Sequence, residues 1–206
     1  DFILAIWHHP PYTKGSHDSD NAGDSGGRMR DMRENALPIL EQGGVDLVLT
    51  GHSHSYERSK FIDGHYGLST TYNSSYEIDG GSGRADGTGA YVKDASQPHS
   101  GAVYSVVGAS GQTSGGTLNH PAMYLSLNEL GSMVIDVNGA TMDLKYLNNN
   151  GTVRDYFTIT KDSTPPAPPA APSSLGATAT SASNINLTWI DNASDETGFD
   201  IERSLD

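Results

Sequence analysis

The hydrophobic pattern of the first fifty residues predicts two buried strands. The chain opens on the apolar run DFILAIW, which predicts a central strand over residues 2–7. An uninterrupted apolar run of this kind is typical of a strand that is buried on both faces of a sheet. A second run, VDLVLTGH at residues 45–52, predicts another buried strand.

The segment between these strands has the pattern of an amphipathic helix. Residues 28–44 read RMRDMRENALPILEQGG, in which the two final glycines indicate the helix end. Pro38 is expected to kink the helix. The apolar face is predicted to consist of Met29, Met32, Ala36 and Leu40. Strand, helix and strand together predict a βαβ crossover, whose parallel strands place functional loops at their carboxyl ends.

The middle of the chain changes from a loop pattern to a strand pattern. Residues 63–101 are polar and rich in glycine, and the stretch is long for an ordinary connection. Its segment IDGGSGRADGTGAY does not have the ligand spacing of an EF-hand, so a plain loop is favoured over a calcium loop. Residues 102–160 predict an antiparallel β region that completes an α/β domain, with hairpin turns at the Asn-Gly pairs 138–139 and 150–151.

The last third of the chain indicates a linker and a second unit. Residues 161–173 are rich in proline, which predicts an extended linker between a domain at 1–160 and a unit at 174–206. In that unit NINLTWID and GFDIERS alternate apolar and polar positions. They resemble the first strands of a fibronectin type III module, a sandwich that needs on the order of 100 residues. A truncated all-β module is therefore expected.

Composition and charge exclude several classes of function. The chain has 206 residues, with 12 Lys and Arg against 25 Asp and Glu, for a net charge of −13. So acidic a surface disfavours nucleic-acid binding by charge. Cysteine is absent, which excludes disulfides and Cys-ligated zinc. No apolar run approaches the roughly 20 residues of a membrane span. Because residue 1 opens directly into an apolar run, we expect the chain to be a fragment.

Histidine is unevenly distributed along the chain. Five of the eight histidines lie within residues 8–54: His8, His9, His17, His52 and His54. The others are expected to be structural or surface residues: His65, His99 and His120.

The segment TGHSHSYERS at residues 50–59 carries the strongest chemical signal. Gly51 permits a sharp turn directly after the second strand, and the spacing lets His52 and His54 project from one turn. Such a pair can reach two neighbouring metal ions or clamp one. The alternative is a polar turn that happens to contain two histidines.

Three motifs together resemble a known family. WHHPPYTKGSH, GVDLVLT and GHSHSYERS are similar to the C-terminal half of a purple acid phosphatase, within the calcineurin-like metallophosphoesterases. Gly-His-x-His marks the superfamily, and the following Tyr-Glu-Arg resembles the narrower phosphatase group. The resemblance covers residues 1 to about 160 and implies an α/β fold, the C-terminal half of an αββα sandwich.

The resemblance also implies roles for the histidines. His8 and His52 correspond to ligands of a divalent metal, and His54 to the histidine on a ferric ion, with His9 in a supporting position. The implied cofactor is a dinuclear centre of Fe³⁺ with Fe²⁺, Zn²⁺ or Mn²⁺. His17 corresponds to a histidine that contacts the substrate phosphate and protonates the leaving group. Beside it, Asp18 occupies a substrate-binding position where plant enzymes commonly have a second histidine.

The remaining ligands of the family are not found in this chain. They come from Gly-Asp and Gly-Asn-His motifs, and here the pair Gly23-Asp24 lacks the required context. We expect those ligands upstream, so the 206-residue chain by itself is expected to be inactive. The implied function is hydrolysis of phosphate monoesters, with a phosphodiesterase or nucleotidase of the same superfamily, or a non-catalytic adhesion protein, as alternatives. The fibronectin-like module implies secretion and contact with polysaccharide or a cell surface.

Overall fold

The computed structural model describes residues 1–94, 96–162, 170–193 and 198–201. Its chain divides into two compact units, Asp1–Ser163 and Thr164–Asp206, which are described separately below. Part of the predicted linker, residues 163–169, lies outside the described residues. So does the end of the segment GFDIERS.

The described residues of the first unit form three sheets. Its strands are, in chain order, β1 (Leu4–Ile6), β2 (Leu47–Thr50), β3 (Tyr56–Ser59), β4 (Phe61–Ile62), β5 (Glu77–Asp79), β6 (Tyr91–Asp94), β7 (Val103–Val107), β8 (Met123–Leu127), β9 (Gly131–Asn138), β10 (Thr141–Asn148) and β11 (Val153–Asp162). A five-stranded sheet has the order β1-β2-β7-β3-β8, a four-stranded sheet has the order β6-β11-β10-β9, and β4 pairs with β5.

The predicted βαβ crossover is present. Strands β1 and β2 are parallel, with Leu4 opposite Leu47, and the helix connects them. The prediction of a central, doubly buried first strand is wrong, because β1 lies at the edge of the five-stranded sheet. Among the described residues no strand pairs with its outer edge, and Ile6, whose side chain lies on one face of the strand, is 73% exposed. An apolar run indicates a strand but does not place it within the sheet.

The helix between these strands has three consecutive parts. Its α-helical turns are α1 (Arg28–Asp31) and α2 (Leu37–Gln42), joined by a π-helical turn at Met32–Ala36. Pro38 lies in the first turn of α2, where a missing N–H is tolerated, and the dihedral angles of the residues that flank α2 stay helical. The irregularity of this helix is therefore a π-turn that ends two residues before Pro38. No helix in the described ranges has the length and apolarity to cross a membrane.

The buried face of the helix is more polar than its sequence suggests. Arg33 and Glu41 are fully buried together with two apolar residues, Met29 and Leu37. The predicted apolar positions Met32, Ala36 and Leu40 are only half-buried and flank this row. A spacing of four residues thus places two charged side chains inside the fold, where they need partners.

The strand-rich second half of this unit confirms part of the sequence pattern. The Asn-Gly turns connect β9 to β10 and β10 to β11, and both glycines have positive φ, 58° at Gly139 and 78° at Gly151. The antiparallel prediction for residues 102–160 is confirmed for β9, β10 and β11, but strands of this region also make parallel pairs with strands outside it. Strand β7 is parallel to β2, and β6 is parallel to β11.

Two apolar cores define the layers. Adjacent residues of β2 and β7 point to opposite faces, so Val48 and Tyr104 pack in the first core and Leu47 and Val103 in the second. The first core contains Leu37 of the helix, and the second contains residues of the four-stranded sheet. The first unit is therefore a helix layer on two packed sheets.

The second unit shows one antiparallel pair in the residues described there. Strands β12 (Ser173–Ala179) and β13 (Ile185–Ile190) place Ala177 opposite Leu187. Apolar side chains of this hairpin are largely exposed, including Leu175 at 74% and Ile185 at 62%. These residues do not by themselves identify a fibronectin sandwich.

Candidate metal centre

The histidine-bearing loops follow two neighbouring strands of the five-stranded sheet. The amide of Trp7 at the end of β1 donates to the Leu49 carbonyl at 3.2 Å, and the Gly51 amide donates to the His8 carbonyl at 3.1 Å. Parallel pairing therefore continues to the first residues of both loops. As a result His8 and His52 face each other at the carboxyl ends of the strands.

The first histidine group consists of His8, His9 and His52. Their ring nitrogens lie within 4.8 Å of one another, an arrangement that could hold a metal ion. His8 Nε2 is 3.0 Å from His52 Nδ1, and the His9 and His52 ring centroids are 4.5 Å apart. His9 thus stands with the two predicted ligands.

His52 is held in a neutral state by its surroundings. It has a left-handed backbone conformation, with φ of 61°, directly after Gly51. Burial, followed by the neighbouring imidazoles, lowers the pKa of His52 to about 4. The unprotonated ring therefore leaves one nitrogen with a lone pair suited to a cation at neutral pH. Ser25 Oγ lies 2.5 Å from His52 Nε2 and orients the ring.

A second group shares His52 and adds His17 and Asp24. The His17 ring stacks on the His52 ring with centroids 3.9 Å apart. His17 Nδ1 lies 2.8 Å from Asp24 Oδ1, and the three residues form a further potential metal-binding group. Burial opposes ionisation of Asp24, but hydrogen bonds from the Asp18 amide, Ser25 and His17 outweigh it and lower its pKa. A carboxylate is therefore present beside the imidazoles.

Asp24 is the site residue that sequence reasoning missed. In sequence it is part of a Gly-Asp pair without the context of a ligand motif. The chain reverses at Ser25 and Gly26, which have φ of 54° and 66°, and this brings Asp24 back to His17. A left-handed serine has no clear sequence signature, so no local pattern could have identified the contact.

His54 does not belong to either group. Its amide donates to Ser16 Oγ at 2.9 Å, and its Nδ1 lies 3.0 Å from Ser114 Oγ. Among the described residues its Nε2 has no hydrogen-bond partner, so that nitrogen is the atom available to a cation. His52 and His54 thus have separate surroundings, although they share one turn.

Asp18 lies beside the histidine groups but outside them. Its carboxylate pairs with Lys14 Nζ at 2.6 Å and remains 46% exposed, while its amide donates to Asp24. Lys14 also pairs with Asp20 at 3.1 Å, so it offsets the negative charge of Asp18 only in part.

The glutamate of the Tyr-Glu-Arg segment supports the loop that carries His17. Glu57 is fully buried and accepts hydrogen bonds from the Thr13 hydroxyl, from the Lys14 amide at 3.1 Å and from Ser55 Oγ at 2.9 Å. These donors lie on the loops after β1 and β2. Glu57 therefore fixes one loop against the other.

Sequence similarity to known proteins is confined to a short stretch of the chain. No family model matches the chain. Over 70 residues it is 34% identical to the uncharacterized protein Rv2577 of Mycobacterium tuberculosis, and equally to the uncharacterized protein MT2654 of a second strain. The matched region is 34% of this chain and only 12% of each relative.

A solved structure supports the fold. Purple acid phosphatase PPD1 from yellow lupin (Lupinus luteus) seeds superimposes with a TM-score of 0.54 at 18% identity. The match covers 79% of this chain and 25% of the lupin chain. The fold of this protein is therefore similar to part of a purple acid phosphatase.

Proposed function

We propose that this chain provides the histidine side of a metal centre that hydrolyses phosphate monoesters. The observation that carries the proposal is the convergence of His8, His9, His17 and His52 with Asp24 at adjacent strand ends. Its position in a fold like that of part of a purple acid phosphatase supports the same reaction class.

The residues present fit a transition-metal cation. Imidazole nitrogens are good ligands for zinc and iron, and the lowered pKa of His52 keeps its ring unprotonated. His8 and His52 would hold a divalent ion, and His54 a ferric ion, in a centre of Fe³⁺ with Fe²⁺, Zn²⁺ or Mn²⁺. Within the two groups Asp24 is the one carboxylate, which cannot neutralise two such cations. Further carboxylates would be needed to complete such a centre.

The chemistry of the centre combines the cations with a positioned acid. When bound, the metal pair supplies positive charge at the phosphoryl oxygens and a water of lowered pKa. His17 supplies the leaving-group proton from Nε2, because Asp24 occupies its Nδ1 and fixes the ring. Asp18, whose charge Lys14 offsets in part, would lie beside the substrate phosphate.

Binding of metal by the chain itself tests the ligand assignment. Titration of the untagged chain with Zn²⁺ should show a site that His52→Ala weakens by at least about tenfold, because His52 belongs to both groups. His120→Gln, at a buried histidine outside the groups, is the matched control. Equal stoichiometry and equal affinity of zinc binding in wild type and His52→Ala would contradict the assignment.

Activity measurements separate the phosphatase from its alternatives. Because carboxylates are scarce at the site, the chain alone should not turn over p-nitrophenyl phosphate. In a longer protein that carries this chain, monoesters should be hydrolysed faster than diesters or nucleotides. A preference for diesters or nucleotides would favour a phosphodiesterase or nucleotidase, and metal binding without hydrolysis would favour a non-catalytic binding protein.

The proline-rich segment and strand pattern after residue 160 also lead us to propose an extracellular protein, in which the second unit contacts polysaccharide or a cell surface.

A further inference from the structure

A second cluster of potential metal ligands lies at the other end of the strands of the five-stranded sheet. Glu41 ends the helix that leads into β2, and His99 precedes β7. Asp63 follows β4, whose Ile62 forms an isolated bridge with Ala102. The cluster therefore lies near the amino-terminal ends of β2 and β7, whereas the histidine groups lie at the carboxyl ends of β1 and β2.

The three ligand atoms of this cluster converge. His99 Nδ1 is 3.3 Å from Asp63 Oδ1 and 4.0 Å from Glu41 Oε2, and all three atoms lie within 4.8 Å of one another. Ligands bound tetrahedrally at about 2.0–2.2 Å from a zinc ion are separated by roughly 3.3–3.6 Å. A small movement of the Glu41 side chain towards His99 and Asp63 would bring the three ligand atoms to that spacing.

Asp63 contributes an observation that points to a missing partner. Its Oδ1 is completely buried and accepts no hydrogen bond from the described residues. His99 Nδ1 is near enough but is not aligned as a hydrogen-bond donor to it. A buried carboxylate oxygen without a donor is costly unless a cation or proton offsets its charge.

The contact of His99 Nε2 with Gln42 shows which ring nitrogen is available to a cation. Nε2 lies 3.1 Å from Gln42 Oε1, so this nitrogen is engaged with Gln42 and Nδ1 is the ring atom that faces the two carboxylates. A cation placed between Nδ1 and the two carboxylates would lie within reach of all three ligand atoms. Gln42 thereby acts as the outer partner that metal-binding histidines commonly have.

The surrounding contacts hold the ligands in place before any ion binds. Glu41 is buried and accepts hydrogen bonds from the Tyr66 and Tyr104 hydroxyls and from the Gly64 amide at 3.0 Å. The His99 amide donates to the Glu41 carbonyl at 3.1 Å, and His99 has a left-handed backbone with φ of 53°. Such a constrained conformation is expected where surrounding contacts require it.

We propose that Glu41, Asp63 and His99 bind one divalent transition-metal cation such as Zn²⁺. Two carboxylates and a neutral imidazole balance the charge of a dication, and a nitrogen ligand favours zinc over calcium or magnesium. The ion joins the helix end to the segments before β7 and after β4, so its role is structural. This site is independent of the proposed phosphatase function.

The test removes the other candidate site first. In an untagged His8→Ala/His52→Ala chain, equilibrium dialysis against ZnCl₂ should still find one bound zinc per molecule. Adding His99→Ala or Asp63→Asn should weaken that binding by roughly 10- to 100-fold. Glu34→Gln, at an exposed carboxylate on the same helix, is the matched control and should leave it unchanged.

Thermal unfolding supplies a second measurement. Saturating Zn²⁺ should raise the Tm of the His8→Ala/His52→Ala chain and leave the Tm of its Asp63→Asn derivative unchanged. The isosteric Asp63→Asn change is chosen because it preserves packing. Absence of bound zinc in the double variant, or equal zinc binding after His99→Ala, would overturn the proposal. In either case His99 would instead be an imidazolium ion paired with Asp63.

Discussion

The Arg58 guanidinium holds the Asp155 carboxylate with two hydrogen bonds, of 2.6 Å and 3.1 Å, and neither side chain is exposed. Arg58 lies on β3 of the five-stranded sheet and Asp155 on β11 of the four-stranded sheet. Tyr56 also donates to Asp155, at 2.7 Å. The Tyr-Glu-Arg segment therefore joins the two sheets through Tyr56 and Arg58, while Glu57 holds the site loops.

We first predict that Asp155→Asn lowers the free energy of unfolding by about 3–5 kcal/mol, because it leaves a buried guanidinium without its counter-ion. Urea denaturation at pH 7 measures this. Glu129→Gln breaks the exposed pair between Glu129 and Arg154 and should change stability little, since solvent screens that pair. Similar losses in both variants would contradict the buried-pair argument.

The same pair predicts a pH dependence of stability. Burial opposes ionisation of Asp155, but the hydrogen bond and charge of Arg58 outweigh it, so the pKa of Asp155 is lowered from 3.8. Its stabilising contribution is present above pH 3.8 and is lost as pH falls through the lower folded-state value. Denaturation at a series of pH values between 5 and 2 should show a larger loss of stability in wild type than in Asp155→Asn, in which only the other carboxylates with lowered pKa, such as Asp24, still contribute.

The burial of His120 should make the free energy of unfolding depend on pH in a second range, above that of Asp155. Burial lowers the pKa of His120 from 6.5 to about 3. Between these values the unfolded chain binds a proton that the folded chain excludes, so stability falls as pH falls, by up to about 1.4 kcal/mol per unit. His120→Gln keeps an acceptor for the Ala122 amide and should flatten the slope between pH 6 and pH 4. An unchanged slope would mean that His120 is protonated in the folded protein.

The support that Glu57 gives to the site loops can be measured directly. Glu57→Ala leaves the Thr13 hydroxyl and the Lys14 amide without their acceptor, which should cost about 1–3 kcal/mol. It should also weaken Zn²⁺ binding at the histidine groups, since the loop that carries His17 is released. Glu57→Gln retains one carbonyl acceptor and should lose less on both measurements. Full zinc affinity in Glu57→Ala would show that the loops hold their geometry unaided.

Gly108 marks a close backbone approach behind the histidine turn. A Cβ atom there would lie 2.0 Å from the Ser53 carbonyl oxygen. Gly108→Ala should therefore cost about 1–3 kcal/mol and displace the turn that carries His52 and His54. Gly111→Ala, in the same loop with no atom within 4 Å, is the control and should remain within about 0.5 kcal/mol of wild type. Equal stability of the two variants would contradict this prediction, because it would mean that the backbone at Ser53 moves away from a Gly108 Cβ without loss of stability.

The sequence by itself determined the local elements and one long-range relationship. Apolar runs at residues 2–7 and 45–52 indicated the strands, the glycine pair indicated the helix end, and Asn-Gly pairs indicated two hairpin turns. These features depend on side-chain periodicity and backbone freedom over a few residues. The βαβ rule then brought His8 and His52 together, because right-handed crossovers leave few alternatives.

Only the tertiary structure decided the remaining contacts of the site. Asp24 reaches His17 through a left-handed reversal, Glu57 reaches two loops, and Asp155 reaches Arg58 across 97 residues of sequence. Likewise, the apolar run of β1 could not show that the strand lies at a sheet edge. Such contacts depend on which strands and loops meet after folding, and no periodicity within a segment encodes that choice.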